Sequence, residues 1–591
     1  MPRIVQICAS AMIAALLFLA PTVAQESRPN ILLVVLDDAG FMDFGAYGSE
    51  TRTPNIDALA RDGVMFSRFY TSPFCGPSRA MLLTGMDNHQ VGMGTLVETV
   101  SPELRQYPGY SMTWDDGQET IATHLSDAGY QTFVSGKWGI GEVGANLPDR
   151  FGFDRSYVMD ATGGSNYDQS HYLPGYDRVD WFEDGARISL PDDFYSSRSL
   201  VDRLIGYVDE GDPDRPFFAF LSFQALHIPV QAPLSFIEGY NGVFDAGWDV
   251  IREQRRQRAI ELGLVPPTTQ LAPSPQAHRA WEELSPEDQA VAARLMQVNA
   301  GMMEAADHHL GRLLAHLDAA GRLDNTLVIV TSDNGAEAAM MELPGALANT
   351  IVGGIRRLEG YDTSPENHGL PGSLTAIGPE WASVSSAPFQ LYKFYAGEGG
   401  LRVPLVIAGP GIAPSGIQRG RVHIADLMPT MLDAAGIPYD ASTYYGRSFM
   451  PVLTGETEMS YAEDESFAFE VSGNAALYRG NWKITRNAQP RGDSHWRLYD
   501  LSVDPGETTD LSANHPELFA DMLAEYRSYS QEVGVVEPAP GEYAMKQLTE
   551  NLIARVAAKY WPYLLAFLLL LAGTGYGIFR GVRFAARRMF G

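Results

Sequence analysis

The sequence predicts an α/β protein built on a large, mostly parallel β-sheet. Short, predominantly apolar runs occur at residues 30–36, 217–223 and 326–332. Runs that do not alternate with polar residues are typical of strands buried on both faces, as in parallel sheets. Patterns typical of helices lie between them, notably at 119–129 and 293–321. Strands that alternate with helices in this way favour a sheet covered by helices.

Polar side chains stand where these runs end, and where a further run at 132–137 ends. They are Asp37 and Asp38, Lys137, His227, and Asp333 with Asn334. Ligands of α/β proteins bind beyond the carboxyl ends of the strands, so one site can collect all four clusters. A lone Asp-Asp pair is more often a solvated turn, but two acidic pairs that each end a buried strand favour a site.

The acidic members of this set predict a metal ion. Asp37, Asp38, Asp333 and Asn334 offer only oxygen ligands, which suit calcium or magnesium better than zinc. Three carboxylates brought together would also repel one another without a cation.

The stretch "CGPSRAMLLTG" predicts a turn followed by a short helix. Pro77 suits the first helical position, and Gly85 suits the position that closes the helix. Cys75 would then lie at a helix N-terminus, where backbone N–H groups favour an anion. Arg79, Lys137 and Lys393 would add positive charge, so the stretch predicts an anionic ligand.

Charge and cysteine content narrow the class of protein. The formal net charge is −29 over 591 residues, which argues against nucleic-acid binding. Residues 1–24 have the basic start, apolar run and small-residue end of a signal peptide. Cleavage after Ala24 would remove Cys8 and leave Cys75 alone, so we expect no intrachain disulfide.

The C-terminal region predicts a membrane anchor. Residues 561–579 carry no formal charge and are just long enough to span a bilayer, and Arg580, Arg583, Arg587 and Arg588 follow them. We expect an exported protein on the periplasmic side of the inner membrane, with a single span and a basic cytoplasmic tail at 580–591. Residues 531–560 would form a linker and a helix that leads into the membrane.

The motif Cys75-Gly76-Pro77-Ser78-Arg79, continued by "AMLLTG", resembles the signature of type I sulfatases. In that family the cysteine is oxidised to formylglycine by a formylglycine-generating enzyme, and the aldehyde hydrate is the nucleophile. Segments along the chain resemble further motifs of the family: "LDDAG", "GKW", "ALHIP", "TSDNGAE", "YKFYAGEGGLRVP", "HIADLMPTMLDAAG" and "LYDLSVDPGETTDLS". Within the family the chain is most similar to bacterial arylsulfatases.

The resemblance implies an alkaline-phosphatase-like fold. Residues 25–440 would form the catalytic α/β domain, and residues 441–530 a smaller domain with an antiparallel sheet. The implied function is hydrolysis of sulfate monoesters, with a small-molecule or carbohydrate sulfate ester as the substrate.

The resemblance also implies a role for each site residue. Asp37, Asp38, Asp333, Asn334 and the converted Cys75 would hold the metal, which the resemblance makes calcium, although magnesium also suits the ligands. Arg79 would stabilise the formylglycine hydrate, and Lys137 and Lys393 would bind the sulfate oxygens. His227 would contact the sulfate and protonate the leaving alkoxide, and Asp333 would accept the proton of the attacking hydroxyl.

The chain departs from the family pattern at one position. The family reads Gly-Lys-Trp-His where this chain has Gly136-Lys137-Trp138-Gly139, and the missing histidine helps to handle the proton on formylglycine. His368 is the first candidate to replace it and Glu142 the second. Water, or a pocket reshaped for another substrate, are the remaining interpretations.

Two other functions stay open on the sequence. A phosphonate monoester or phosphodiester hydrolase can use the same scaffold, although the Asp-Asp and Asp-Asn pairs resemble those of sulfatases. The loss at Gly139 leaves room for an inactive, anion-binding homologue.

Overall fold

The computed structural model describes residues 28–274, 278–339, 353–362, 364–413 and 416–589. The predicted signal peptide at 1–24, with Cys8, lies outside the described residues.

A large mixed sheet forms the centre of the molecule. Its strands are β1 Asn30–Leu36, β2 Val64–Tyr70, β3 Gln131–Lys137, β4 Arg155–Met159, β5 Trp181–Glu183, β6 Ala186–Ile188, β7 Phe217–Ser222, β8 Thr326–Ser332, β9 Arg402–Ala408, β10 Gly416–Gln418 and β11 Val422–His423. They run in the order β10-β2-β9-β8-β1-β7-β3-β4-β5-β6, and β11 also pairs with β2.

The middle of this sheet is parallel, as the sequence predicts. β8, β1, β7, β3 and β4 pair in parallel, and Leu33 at the centre of β1 lies beside Phe220 and Ile329. Every residue of β1 is buried, because helices cover both faces of the sheet. β9 runs antiparallel between β8 and β2, and β5 and β6 extend the other edge in antiparallel fashion.

The helices with described bounds are α1 Pro54–Asp62, α2 Cys75–Thr84, α3 Ile121–Asp127, α4 Ser196–Glu210, α5 Leu234–Ile237, α6 Gly247–Glu261, α7 Pro286–Ala319, α8 Gly378–Ser385, α9 Glu398–Leu401, α10 Leu427–Ala434, α11 Met450–Leu453, α12 Pro516–Val533 and α13 Ala544–Met589.

Alternate residues of β1 enter two separate cores. Leu32, Val34 and Leu36 pack with α4 and α7, whereas Ile31, Leu33 and Val35 pack with α2, α3 and α10.

A second, antiparallel sheet follows in the chain. It consists of β12 Ser466–Val471, β13 Asn474–Arg479, β14 Trp482–Arg486 and β15 Arg497–Asp500, in that order. Met522 and Tyr526 of α12 cover one face. The other face joins the core of the large sheet, where the rings of Tyr70 and Tyr478 lie 4.3 Å apart. The predicted fold class is therefore confirmed, while the boundary between residues 440 and 441 stays a prediction.

The helix α13 ends the described chain. Within the described residues it is the one helix that is long and apolar enough to cross a membrane, with a mean hydropathy of 1.7 in its most apolar window. Its second half exposes large apolar side chains such as Leu569, Leu570 and Ile578. The predicted span at 561–579 thus continues a helix that begins at Ala544 rather than starting a new one.

Candidate active site

The predicted site residues meet at the carboxyl ends of the central parallel strands. Asp37 and Asp38 directly follow β1, and Lys137 is the last residue of β3. Asp333 directly follows β8 and Asn334 comes next. Cys75 is the first residue of α2, and Arg79 lies one turn further along that helix. The adjacency of β8, β1, β7 and β3 brings these chain segments together.

The helix that carries Cys75 differs slightly from the prediction. It begins at Cys75, so Pro77 is its third residue rather than its first. Proline is tolerated there because the first turn of a helix leaves its N–H groups without an intrahelical partner. Gly85 closes the helix as predicted, with a φ of 66° that suits glycine.

The site is almost closed to water. None of the side chains that the sequence predicts here is more than 2% exposed: Asp37, Asp38, Cys75, Arg79, Lys137, His227, Asp333, Asn334 and Lys393. Charged groups are tolerated in such a place only when they are paired or bound to a metal.

Arg79 joins the helix to the strand ends. Its Nε donates to Asp333 Oδ2 at 2.8 Å, and its Nη1 donates to the Lys137 carbonyl at 2.9 Å. Nη1 also donates to Ser222 Oγ at 2.5 Å, and Ser222 in turn donates to the same carbonyl. Arg79 therefore fixes Cys75 relative to β3, β7 and β8.

Asp37 and Lys137 form a buried ion pair, with 2.6 Å between Asp37 Oδ2 and Lys137 Nζ. Burial raises the pKa of Asp37 well above its usual value, and Lys137 offsets only part of that shift. Burial alone would lower the pKa of Lys137, but the Asp37 carboxylate outweighs it and the pKa is raised. Lys137 is therefore held as a cation beside Cys75.

Lys393 takes the matching position beside Asp38. Its Nζ lies 2.8 Å from Asp38 Oδ1 and 3.0 Å from Glu337 Oε2. Asn334 Nδ2 donates to the same Asp38 oxygen at 2.7 Å. Asp38 has a φ of 69°, and its backbone N–H donates to Asp333 Oδ1 at 3.2 Å. A left-handed conformation in a non-glycine residue is a strain that often marks a functional site.

His227 is held as a neutral imidazole. Its Nδ1 lies 2.6 Å from the Ile228 carbonyl, which can only accept, so Nδ1 carries the proton. Its Nε2 lies 3.9 Å from Asp38 Oδ2, and the Tyr172 ring meets it edge-on with centroids 5.1 Å apart. Burial, followed by Lys137 and Lys393, lowers the pKa of His227 well below its usual value.

The Cys75 thiol is poorly suited to act as a nucleophile without modification. Burial raises its pKa, and the nearby Lys137 and Lys393 do not offset the shift. The thiolate, which is the reactive form of cysteine, is therefore disfavoured here. This environment therefore disfavours catalysis by an unmodified Cys75 thiolate.

The arrangement fits a divalent cation. One ligand atom from each of Asp37, Cys75 and Asp333 lies within 4.8 Å of the others. Asp37 Oδ1 and Asn334 Oδ1 are buried and have no hydrogen-bond partner among the residues that the structure describes. Buried oxygens without a partner are costly, and a metal ion would satisfy them. Asp38, His227 and Glu337 form a second such group, but Lys393 lies between two of its carboxylates.

The family model named Sulfatase matches residues 29–437. The chain belongs to the sulfatase family. It is 35% identical over 421 residues to an arylsulfatase of Klebsiella aerogenes, covering 70% of this chain and 88% of that protein. It is 34% identical over 555 residues to an uncharacterised sulfatase of Schizosaccharomyces pombe, covering 89% and 97%. A solved structure described as Ps i-CgsB has a TM-score of 0.62 at 24% identity, covering 90% and 98%. This sulfatase is therefore a sulfuric ester hydrolase.

Gly139 of this sulfatase lies beside one of the lysines. It has a φ of 62°, and a Cβ there would lie 3.2 Å from both Lys137 Cε and the Ala161 carbonyl oxygen. His368 contacts Arg294 and Pro365 and lines a separate cleft of about 280 Å³ with Trp381. Glu142 is 41% exposed and pairs with Arg105. That His368 or Glu142 replaces the family histidine stays a prediction, and none of their contacts described here reaches Cys75.

Three polar residues of the site were not predicted from the sequence. Glu337 pairs with Lys393, and Ser222 accepts a hydrogen bond from Arg79. Glu98 lies close to Lys137. Burial raises the pKa of Glu98, and the charge of Lys137 offsets part of that shift. The sequence pattern that predicted the other site residues also applies to Ser222 and Glu337. Ser222 ends the buried strand β7, and Glu337 follows the buried strand β8. Glu98 lies in a loop and has no such signal.

Proposed function

We propose that this sulfatase hydrolyses sulfate monoesters through a formylglycine made from Cys75. The observation that carries the proposal is the buried cluster of Asp37, Cys75 and Asp333, which Arg79 ties together at the end of β1 and β8. Formylglycine, as its hydrate, would supply one hydroxyl to attack sulfur and a second to expel sulfate. A formylglycine-generating enzyme would be the partner during maturation.

Asp37, Asp38, Asp333 and Asn334 would hold a divalent metal ion. Their ligand atoms are oxygens, two of which are buried without a hydrogen-bond partner in the described part of the chain. The ion would supply positive charge next to the ester oxygens as negative charge develops on them. Family resemblance favours calcium, and magnesium also suits these ligands.

The cationic side chains would position the ester. Lys137 and Lys393 are held as cations, and both face the Cys75 end of the site. Arg79 is committed to Asp333 and to the Lys137 carbonyl, so it would orient the nucleophile rather than follow the substrate. In the neutral His227 the proton is on Nδ1, so Nε2 is unprotonated. An anionic ester beside the ring would raise the pKa of His227, and Nε2 could then take up the proton that the leaving alkoxide needs.

The charge of the site favours a substrate with a single negative charge. Among the groups joined by the ion pairs of the site, four carboxylates (Asp37, Asp38, Asp333 and Glu337) face three cationic side chains (Arg79, Lys137 and Lys393). One divalent cation would turn the net single negative charge into a single positive charge. A sulfate monoester neutralises that charge, whereas a phosphate monoester dianion exceeds it.

Mass spectrometry of the Cys75 peptide tests the proposal. Conversion of the thiol to the aldehyde lowers the peptide mass by about 18 Da, and we expect this change in protein from the native host. Purified protein should hydrolyse 4-nitrophenyl sulfate, and Cys75→Ala should reduce kcat by at least about a thousandfold because the nucleophile is lost. An intact thiol in active protein would contradict the proposal. Faster hydrolysis of a matched aryl phosphodiester would favour the alternative hydrolase.

Removal of the metal provides a second test. We expect dialysis against a chelator to abolish activity and to lower the melting temperature, because an ion that binds only the folded state stabilises it by about 2.7 kcal/mol at a hundredfold excess over Kd. Calcium and magnesium are then added back separately, and the ion that restores both activity and melting temperature at the lower concentration is the one the site prefers. A chelated protein that keeps full activity would contradict the metal assignment.

We also propose that the protein is exported and anchored by the second half of α13. The support is the apolar stretch at 561–579, with exposed Leu568, Leu569 and Leu570, followed by four arginines. The catalytic body would then lie on the periplasmic side.

A further inference from the structure

A cleft of about 510 Å³ lies between the catalytic body and α13. Val97, Val100 and Tyr176 line it on the side of the body, and Leu552, Ala554 and Ala558 line it on the side of the helix. These side chains are apolar or aromatic. Glu98, Arg105, Asn551 and Arg555 also line the cleft, but each of them is engaged by a partner within the protein. The cleft therefore suits a largely apolar group.

The cleft lies next to the catalytic site, since Glu98 in its lining is close enough to Lys137 for the lysine charge to lower the pKa of Glu98, although burial raises that pKa overall. Glu98, which also lines the cleft, accepts a hydrogen bond from Thr162 at 2.8 Å. Thr162 lies 3.2 Å from the Tyr172 hydroxyl, and the Tyr172 ring packs against His227. On the other side, Leu96 shares a small apolar cluster with Cys75 and with Ala544, the first residue of α13.

Polar contacts hold the helix against this rim. Asn551 Nδ2 donates to the Glu98 and Val100 carbonyls at 2.9 and 3.3 Å. The Arg555 guanidinium lies 3.9 Å from the centre of the Tyr176 ring, and Lys559 Nζ donates to the Tyr176 carbonyl at 2.9 Å. The helix is therefore a wall of the cleft and not a detached stalk.

The position of the cleft along α13 sets the length of a ligand. At about 1.5 Å per residue, Leu552 lies about 12 Å beyond Ala544, and the apolar stretch that starts at Trp561 lies about 26 Å beyond it. A ligand that reaches from the Cys75 end of α13 into the cleft would thus run along the helix towards the apolar stretch.

We propose that this cleft binds the alcohol portion of the substrate, and that the preferred substrates are sulfate esters of alcohols with a long hydrocarbon chain. The inference rests on the proposed sulfatase function and adds the class of leaving group. The sulfate lies at Cys75 and the chain lies between the body and the helix, where its methylene groups leave water. The same chemistry is present whether the ester arrives from solution or from a bilayer.

The test measures kcat/KM of the full chain, held in lipid nanodiscs, for n-alkyl sulfates from butyl to decyl. Each ester is used below its critical micelle concentration. We expect kcat/KM to rise about tenfold for every two carbons that enter the cleft, since burial of each methylene contributes about 0.8 kcal/mol. The small ester 4-nitrophenyl sulfate is the reference, because it has no alkyl chain to place in the cleft. Decyl sulfate incorporated in the nanodisc lipids, compared with the free ester, distinguishes supply from the bilayer from supply from solution.

Two neighbouring variants give the matched comparison. Leu552→Lys places a charge in the cleft, whereas Ile553→Lys places the same charge on the outer side of the helix, where Ile553 is 64% exposed. We expect Leu552→Lys to lower kcat/KM for decyl sulfate by at least about tenfold and to leave 4-nitrophenyl sulfate unchanged. Ile553→Lys should match the unsubstituted protein on both. Ala558→Phe, which fills the cleft without adding a charge, should repeat the effect of Leu552→Lys.

Each outcome decides one point. A kcat/KM that does not depend on chain length, or an equal loss in Leu552→Lys and Ile553→Lys, would overturn the assignment of the cleft while the sulfatase function stands. No turnover of 4-nitrophenyl sulfate or of any alkyl sulfate by protein with converted Cys75 would overturn the proposed function itself, and the inference with it.

Discussion

Lys137 and Lys393 are paired with carboxylates that are also candidate metal ligands. Each ammonium is held by one of the adjacent carboxylates, Asp37 or Asp38, which a metal ion would also need. A metal ion would weaken these two ion pairs, since it competes for the same oxygens. The two ammonium groups would then be available to bind the oxygens of the ester.

Gly139 provides the first prediction at the scale of the residue. Gly139→His restores the family residue, but at a φ of 62° and with a Cβ 3.2 Å from Lys137 Cε. We expect a loss of about 1–2 kcal/mol in the free energy of unfolding from the left-handed backbone. We also expect kcat/KM to fall by about tenfold or more, because Lys137 is displaced. Thermal unfolding and steady-state kinetics measure the two effects.

Gly139→Ala is the matched control for the backbone. It should show the same loss of stability and a smaller loss of activity, because its Cβ makes the 3.2 Å contact with Lys137 Cε but carries no imidazole to displace Lys137 further. Higher turnover in Gly139→His than in the natural sequence would show instead that the site still accepts the family histidine.

The sequence predicted those site residues that end a buried strand or carry a family motif. Lys137 and Asp333 are of this kind, and the structure places both at the predicted edge of the sheet. Glu98 was missed because it lies in a loop and comes to the site through tertiary contacts, which no local pattern reports. The candidates for the lost histidine rest on sequence proximity alone, which does not determine distance in space.

At the scale of elements, the loop after α2 and strand β12 are joined by a buried triad. His89 Nδ1 lies 3.0 Å from Asp87 Oδ1, and His89 Nε2 lies 3.0 Å from Glu470 Oε2 on β12. Burial alone would lower the pKa of His89, but the two carboxylates outweigh it and raise the pKa to about 9. The triad therefore links the catalytic body to the second sheet through a protonated histidine.

This triad predicts how stability depends on pH. The folded-state pKa of His89 lies above its unfolded value of about 6.5, so the folded state binds more protons between these values. The contribution of His89 is full below about pH 6.5 and is lost as pH rises to about 9, by about 3 kcal/mol in total. Denaturant unfolding at pH 6, 7, 8 and 9 measures it.

His89→Gln should remove this fall in stability between pH 6.5 and 9. His495→Gln serves as the control, because that histidine is 80% exposed beside Asp493. A pH profile that is the same for His89→Gln and for the natural sequence would contradict the assignment.

The parallel strands of the sheet could be predicted, but its antiparallel ones could not. The apolar run of β9 looks like that of β8, because both strands are buried on both faces and burial does not reveal direction. The direction of β9 depends on the connection that leads into it, through the loop that carries Lys393 and the short helix α9.

At the scale of the whole molecule, the two halves of α13 have separate tasks. Truncation after Tyr560 removes the apolar half and keeps the wall of the cleft. We expect the truncated protein to move from the membrane fraction to the soluble fraction after an alkaline wash. Its activity on 4-nitrophenyl sulfate should stay within about twofold, because the site residues lie between Asp37 and Lys393.

Truncation after Phe579 is the matched control. It removes the basic tail and keeps the apolar stretch, so the protein should remain in the membrane fraction. A membrane-bound protein after truncation at Tyr560 would show that another part of the chain holds it there.

The burial of Cys75 has a consequence for the order of events in the life of the chain. With 1% of its surface exposed, at the root of α2 and beneath Ala544, Cys75 is closed to any other enzyme once folding is complete. The proposed oxidation to formylglycine would therefore have to happen while the polypeptide is still extended, before β12–β15 and α13 cover Cys75. On this proposal each molecule would have one opportunity to become active, and a molecule that folds too early would stay inactive until it unfolds.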